Sequence, residues 1–112
     1  FNEPAEELNL GTDLVKLSKK TIEDNSRFFE SKENVPTEAI SMGIGSIMKA
    51  RRILLLASGE GKAEAIGQVL NSGKVTTWLP ASLLLLHPDV TLICDQEAFS
   101  LVDRRIMAGA IV

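Results

Sequence analysis

Apolar runs alternate with helical patterns along the chain. Residues 53–57 and 90–95 are apolar on both faces, and each run is bounded by charged or turn-forming residues. Strands of this kind are typical of a parallel sheet that helices cover on both sides. Residues 14–17 and 39–44 predict two further strands.

Helical patterns lie between and after these strands. A helix is predicted over residues 18–29, with Ser18 as its N-cap, because the Ser18 hydroxyl can accept a hydrogen bond from a backbone N–H of the first turn. Further helical segments are predicted over residues 46–50, 62–70 and 80–86. The order of strands and helices predicts an α/β fold with a mainly parallel sheet and right-handed crossovers.

Composition and charge narrow the classes of protein that fit this pattern. The chain has 112 residues, 45% of them hydrophobic, with 12 Lys and Arg against 15 Asp and Glu and a net charge of −3. This size fits one domain or part of a larger one, and wholesale disorder is not expected. A mildly acidic chain is not expected to bind nucleic acid through phosphate contacts. No apolar run reaches the roughly 18–20 residues of a membrane span, so no membrane partner is expected.

The single cysteine and the single histidine limit the available chemistry. Cys94 alone excludes an internal disulfide and suits a reducing, cytoplasmic compartment. His87 follows a predicted helix at a turn, where a structural role is the more common one. One residue of each type cannot form a His/Cys metal cluster, and neither a metal nor a cofactor is expected.

Two glycine-containing loops follow predicted strands, at the edge where α/β sheets bind ligands. Residues 58–62 read Ser-Gly-Glu-Gly-Lys and open a helix, so backbone N–H groups beside Lys62 could hold an anion. They do not form a Walker A loop, because Leu56 and Ala63 stand where that motif needs other residues. Taken alone, this loop favours an ordinary turn with a solvated lysine. Residues 43–45 read Gly-Ile-Gly without a third glycine, which favours close backbone packing over a dinucleotide fingerprint.

Two charged residues outside these loops could also carry chemistry. Arg27 lies beside Phe28 and Phe29 at the end of a predicted helix, and a guanidinium can grip two phosphate oxygens. Glu3 lies in the segment Phe-Asn-Glu-Pro of residues 1–4 and could act as an acid–base partner. Considered singly, each is more commonly a solvated surface charge. The opening segment has no Met and no element before it, so the chain reads as though it starts in the middle of a longer protein.

Taken together, these motifs resemble one enzyme family. Residues 1–4, residues 25–29 (Asn-Ser-Arg-Phe-Phe) and later segments in the same order look like glucosamine-6-phosphate deaminase over most of the chain. The resemblance implies a doubly wound α/β fold. It implies a hydrolase acting on a C–N bond, which converts an amino-sugar 6-phosphate to a ketose 6-phosphate and ammonia by aldose–ketose isomerisation and deamination. It also implies that Glu3 flanks a catalytic histidine, and that Arg27 and Lys62 bind the substrate phosphate.

The same resemblance implies that part of the catalytic machinery lies outside these residues. The family places its catalytic histidine before Phe-Asn-Glu-Pro, and a further phosphate loop and a proton-moving Asp in its amino-terminal half. We therefore expect residues 1–112 to be the carboxy-terminal portion of a single domain and to be inactive alone. The resemblance aligns Glu6, Asp13 and Val15 with the positions where allosteric members bind a second sugar phosphate. Carboxylates there repel an anion, so no such regulation is expected.

Two other functions stay open at this point. Sugar-phosphate-sensing domains of bacterial transcription regulators share the fold, but a sensor has no need of the motif around Glu3. A 6-phosphogluconolactonase-like hydrolase is a related alternative, against which Asn2, Glu3 and Pro4 argue. The residues do not distinguish glucosamine from galactosamine 6-phosphate. The expected partner is a phosphorylated amino sugar, and a homo-oligomer is left open.

Overall fold

The computed structural model of the chain describes residues 2–107. Each predicted strand corresponds to one strand of the structure. The predicted helix of residues 18–29 divides into an α-helix and a 3-10 helix, and that of residues 80–86 is a 3-10 helix. In chain order the strands are β1 (Asp13–Lys16), β2 (Glu38–Ser41), β3 (Ile53–Ala57) and β4 (Val90–Cys94), and the helices are α1 (Lys19–Asn25), α2 (Ile44–Met48), α3 (Ala63–Ser72) and α4 (Arg104–Met107). Short 3-10 helices occupy Ser26–Phe28, Lys32–Asn34, Glu60–Lys62 and Pro80–Leu86.

Strands β3 and β4 pair in parallel, with Ile53 opposite Val90 and Ala57 opposite Cys94. The connection between them carries α3, as a parallel crossover requires. The predicted α/β class, with a parallel sheet flanked by helices, is confirmed. Because the two strands end side by side, the loops that follow them meet at one edge of the sheet.

Strands β1 and β2 form a separate antiparallel pair instead of joining one parallel sheet. Val15 lies opposite Ala39 on a half-buried face, while Leu14 lies opposite Ile40 on an exposed face. An antiparallel pair tolerates one solvent-facing side, whereas parallel strands are normally covered on both. The mainly parallel sheet that the sequence predicts is therefore parallel at β3 and β4 only, among the described residues.

Helix α1 begins where predicted and ends earlier. The Ser18 hydroxyl accepts a hydrogen bond from the Thr21 backbone N–H at 3.2 Å, as an N-cap does. The helix ends at Asn25 because the next residues tighten into a 3-10 turn. In that turn the Ser26 hydroxyl donates to the Glu23 carbonyl at 2.6 Å, a local bond that competes with continued helix.

The core of the described residues forms around α3. Ala63, Ile66 and Val69 are buried on one face of this helix, because they recur every third residue. Burying the Ile66 and Val69 side chains stabilises the fold by about 1.5–3 kcal/mol each. The helix ends at Gly73, which takes the left-handed conformation at φ 61°. Other buried apolar residues are Val35, Ile44, Leu84, Ala98 and Val102.

The second face of the β3–β4 pair is open. Leu54, Leu56 and Ile93 point to this face and are 66%, 69% and 54% exposed. The side chains of the same strands that point to the opposite face, such as Ile53 and Leu55, are half-buried. The sequence predicts that both faces of this sheet are covered. Within residues 2–107, only one face is covered. No helix in this part of the chain is long and apolar enough to span a membrane.

Candidate functional site

The loop of residues 58–62 links β3 to α3 and is held from the end of β4. The Gly59 backbone N–H lies 3.1 and 3.0 Å from the two carboxylate oxygens of Asp95. Asp95 also accepts from the Ala98 backbone N–H at 2.8 Å, so one side chain joins the turns after both strands. Gly59 has φ 85° and ψ 161°, a conformation that is essentially restricted to glycine.

Lys62 lies at the last position of this loop, immediately before α3. Its backbone N–H donates to the Gly59 carbonyl at 3.2 Å and closes the 3-10 turn. Its side chain is exposed, and no carboxylate of residues 2–107 forms a salt bridge with it. The Lys62 ammonium is thus available to an anion at the sheet edge.

A shallow depression of about 420 Å³ lies at the carboxyl ends of β3 and β4. Leu56 and Ala57 line it from one strand, and Ile93 and Cys94 from the other. Ser58 and Asp95 form its rim at the start of the two loops. This is the edge at which parallel α/β sheets bind ligands, and Leu56 and Ile93 also belong to the exposed face of the sheet. A ligand site here stays a prediction.

Glu3 is tied to the start of α1. One carboxylate oxygen accepts a hydrogen bond of 2.7 Å from the Thr21 hydroxyl and lies 3.5 Å from the Ser18 backbone nitrogen. The Ser18 and Thr21 hydroxyls are themselves 3.0 Å apart. The second carboxylate oxygen has no hydrogen bond among the described residues. Glu3 is therefore oriented through one oxygen while the other stays available.

Arg27 lies in the 3-10 turn that follows α1. Its guanidinium carbon is 4.7 Å from the centre of the Phe28 ring, in a cation–π contact. The side chain is exposed and forms no salt bridge within the described part of the chain. Helix α1 has seven residues and connects the Glu3 anchor to the Arg27 turn over about 10 Å.

The structure thus joins Glu3 and Arg27 through one helix and places Lys62 at the end of the parallel strands. No hydrogen bond among residues 2–107 links the Arg27 turn to the loop that carries Lys62. The joint grip of both cations on one phosphate stays a prediction. Phe1, the first residue of the Phe-Asn-Glu-Pro motif, lies outside the described residues.

The remaining candidates have structural roles. Gly43 packs so closely on the Leu10 and Gly11 backbone that a methyl group would overlap both, which agrees with the packing interpretation of residues 43–45. His87 accepts from the Asp89 backbone N–H at 3.0 Å through Nδ1, so Nε2 carries the proton and donates to the Ala50 carbonyl at 2.6 Å. Among residues 2–107, no three His, Cys, Asp or Glu side chains converge as metal ligands.

Thr21 and Asp95 support the candidate site residues, and the sequence does not predict either role. Each makes its key contact with a residue far away in the chain, to Glu3 and to Gly59 respectively. The sequence feature that could have identified Asp95 is its position directly after an apolar strand. The available signal for Thr21 was its place three residues after a helix cap.

Comparison with known proteins gives one consistent result. A family model described as glucosamine-6-phosphate isomerases/6-phosphogluconolactonase matches residues 16–93. The glucosamine-6-phosphate deaminase of Thermoanaerobacter pseudethanolicus is 57% identical over 102 residues, which are 91% of this chain and 40% of that protein. The deaminase of Halothermothrix orenii is 59% identical over 102 residues, 91% of this chain and 42% of that protein.

A solved structure of a monomeric glucosamine-6-phosphate deaminase shares the fold. It superposes with a TM-score of 0.83 at 46% identity and covers 90% of this chain and 42% of its own. The chain therefore spans about two-fifths of the length of the relatives that it matches. The matched family model and the identity to these deaminases show that the chain belongs to the family of glucosamine-6-phosphate isomerases and 6-phosphogluconolactonases.

Proposed function

We propose that this chain forms part of a glucosamine-6-phosphate deaminase, which converts glucosamine 6-phosphate and water to a ketose 6-phosphate and ammonia. The observation that carries this proposal is the identity of 57–59% to proteins of that name over 102 residues. The whole reaction belongs to the whole enzyme, and these residues supply a share of its groups. The cytoplasmic location expected from the composition stays a prediction.

Lys62 and Arg27 are the proposed phosphate ligands. A sugar phosphate carries two negative charges near neutral pH, and hydrogen bonds from a cation to phosphate are stronger than neutral ones. Both side chains are exposed, and neither has a salt-bridge partner among residues 2–107. Binding phosphate would therefore not require breaking an internal ion pair.

Glu3 is the proposed catalytic carboxylate. One of its oxygens is fixed by the Thr21 hydroxyl at 2.7 Å, which limits the orientations that the carboxylate can take. The free oxygen can then hold a histidine in one tautomer or exchange a proton with the substrate. A pure phosphosugar sensor would not need a carboxylate anchored in this way.

We further propose that residues 1–112 are the carboxy-terminal portion of one catalytic domain and are inactive alone. The chain spans 40–42% of its relatives, and one apolar face of its parallel sheet is exposed at Leu54, Leu56 and Ile93. A parallel sheet is normally covered on both sides, so this face is suited to the rest of such a domain. Because catalytic groups act as a unit, the groups within residues 1–112 cannot replace those that lie outside them.

The test compares the chain with a chimera in which it replaces the matching part of the Halothermothrix orenii deaminase. We expect ammonia release from glucosamine 6-phosphate by the chimera and none above background by the chain. Lys62→Ala and Arg27→Ala should each raise the KM of the chimera about tenfold or more, since a charge-assisted hydrogen bond is lost. Lys74→Ala, at an exposed lysine after α3, is the matched control and should leave the KM unchanged.

Three results would contradict the proposal. Turnover by the chain alone at the rate of the chimera would show that the residues are sufficient. A chimera that hydrolyses a 6-phosphogluconolactone and does not release ammonia would support the lactonase alternative. A chimera that binds the phosphosugar tightly without turning it over, and keeps that behaviour after Glu3→Gln, would support the sensor.

A further inference from the structure

The carboxylate of Asp95 connects two turns that are distant in the chain. Asp95 follows β4 directly, and Gly59 lies two residues after β3. Both carboxylate oxygens lie within 3.1 Å of the Gly59 backbone nitrogen, and Oδ1 also accepts from the Ala98 backbone N–H at 2.8 Å. The contact therefore fixes the start of the loop of residues 58–62 relative to the end of β4.

This loop has little else to hold its shape. A side-chain atom added at Gly59 or at Gly61 would meet nothing within 4 Å, so neither glycine is packed against a neighbour. Within the loop, the Lys62 backbone N–H donates to the Gly59 carbonyl at 3.2 Å. Lys62 is therefore held from both sides, by the buried Ala63 at the start of α3 and by Gly59, which Asp95 holds in turn.

We propose that Asp95 is a positioning residue, which fixes the conformation of the loop and thereby presents the Lys62 ammonium to the substrate phosphate. This inference rests on the proposed function, in which Lys62 is a phosphate ligand. Asp95 also occupies the Gly59 N–H, so that amide is not available to the phosphate. The phosphate then depends on Lys62 itself, which makes the placement of this side chain decisive.

A carboxylate near a phosphate has a second effect of opposite sign. Repulsion between Asp95 and the bound dianion would weaken binding, so neutralising Asp95 would strengthen it if charge alone mattered. If positioning dominates, the same substitution weakens binding. The direction of the change in affinity therefore separates the two explanations.

The variants are Asp95→Asn and Asp89→Asn in the 112-residue chain. Asp95→Asn keeps the size of the side chain and replaces one of the acceptors of the Gly59 N–H with a donor. Asp89 precedes β4 at the opposite end, where its exposed carboxylate forms a salt bridge of 3.2 Å with Arg52. Asp89→Asn thus removes the same charge without touching the loop. Asp95→Glu keeps the charge and displaces the carboxylate by one methylene group.

The measurements are amide hydrogen exchange at Gly59 and titration with inorganic phosphate or glucosamine 6-phosphate, both followed by NMR. We expect faster exchange at Gly59 and about three- to tenfold weaker phosphate binding in Asp95→Asn, as for the loss of one hydrogen bond. Asp95→Glu should weaken binding in the same direction, and Asp89→Asn should change neither quantity.

The outcomes separate the two proposals. Wild-type residues that show no phosphate-dependent shift at Lys62, in the chain and in the chimera alike, overturn the role of Lys62 and the positioning role with it. Wild-type binding that Asp95→Asn retains or strengthens overturns the role of Asp95 alone. Equal losses in Asp95→Asn and Asp89→Asn would show a general destabilisation of the fold, because removing a negative charge by itself favours phosphate binding, and would also overturn it. Unchanged exchange at Gly59 would show that Asp95 does not fix the loop.

Discussion

Replacing Gly43 with alanine should strongly destabilise the fold. Gly43 precedes α2 and has φ −72° and ψ 160°, which alanine adopts without strain. The added methyl group would overlap the carbonyl groups of Leu10 and Gly11. These neighbours are backbone atoms, so no side-chain rotation can relieve the overlap.

The expected magnitude follows from the contacts at this junction. Overpacking costs about 1–3 kcal/mol. A shift of the backbone would also weaken two hydrogen bonds across the junction, Ile44 N–H to the Asn9 carbonyl at 3.3 Å and Ser46 N–H to the Leu10 carbonyl at 3.2 Å. Each contributes about 0.5–1.5 kcal/mol. The free energy of unfolding should therefore fall by about 2–6 kcal/mol if both bonds are lost.

Urea unfolding followed by circular dichroism measures this free energy. Gly11→Ala is the matched control on the other side of the same contact, because a methyl group there meets nothing within 4 Å. The control should lie within about 0.5 kcal/mol of the wild type. If Gly43→Ala also lay within that margin, or if the two variants lost equal stability, close backbone packing at this glycine would not be the reason for its presence.

Three further predictions concern polar contacts. Thr21→Val should lower the free energy of unfolding by about 0.5–1.5 kcal/mol, because Glu3 loses its hydroxyl donor, and Thr21→Ser should restore it in thermal unfolding. His87→Ala removes two hydrogen bonds at the amino ends of β3 and β4 and should cost about 1–3 kcal/mol in urea unfolding; an unchanged midpoint would refute the structural role. The side chain of Arg105, and to a smaller extent its backbone N–H, donates hydrogen bonds to Asp103 and lowers the pKa of that carboxyl group. The ionised Asp103 therefore stabilises the fold above its ordinary pKa, and this contribution is lost as the pH falls through the lowered pKa. Arg105→Ala should move the Asp103 titration, observed by carbon NMR, part of the way back to the ordinary value, and no movement would contradict the pairing.

The elements that the sequence predicts correctly are those whose signals are local. Ser18 caps α1 because a hydroxyl three residues before Thr21 meets its backbone N–H. The strands at residues 53–57 and 90–94 are recognisable because five consecutive residues carry the pattern of a parallel strand. The end of α1 was predicted too late, since Ser26 bonds to the preceding backbone instead of continuing the helix.

The direction of pairing between β1 and β2 is not a local property. The two strands are separated by a helix and two 3-10 turns, which is compatible with either direction. The whole register settles it: Asp13 lies opposite Ser41 and Lys16 opposite Glu38, which only an antiparallel pair allows. The pattern of residues 14–17 shows which positions are apolar, and it does not show which partner covers them.

The same distinction explains why the candidate site residues could be named while their supports could not. Arg27 and Lys62 lie in short motifs that a sequence displays directly, beside two phenylalanines and at the end of a glycine-containing loop. Their surroundings depend on contacts across the chain, because Glu3 meets Thr21 across 18 positions and Gly59 meets Asp95 across 36. A carboxylate that accepts a backbone N–H across such a distance has no spacing rule that would identify it. The residues that contact a ligand are therefore predicted by motif, whereas the residues that position them need the fold.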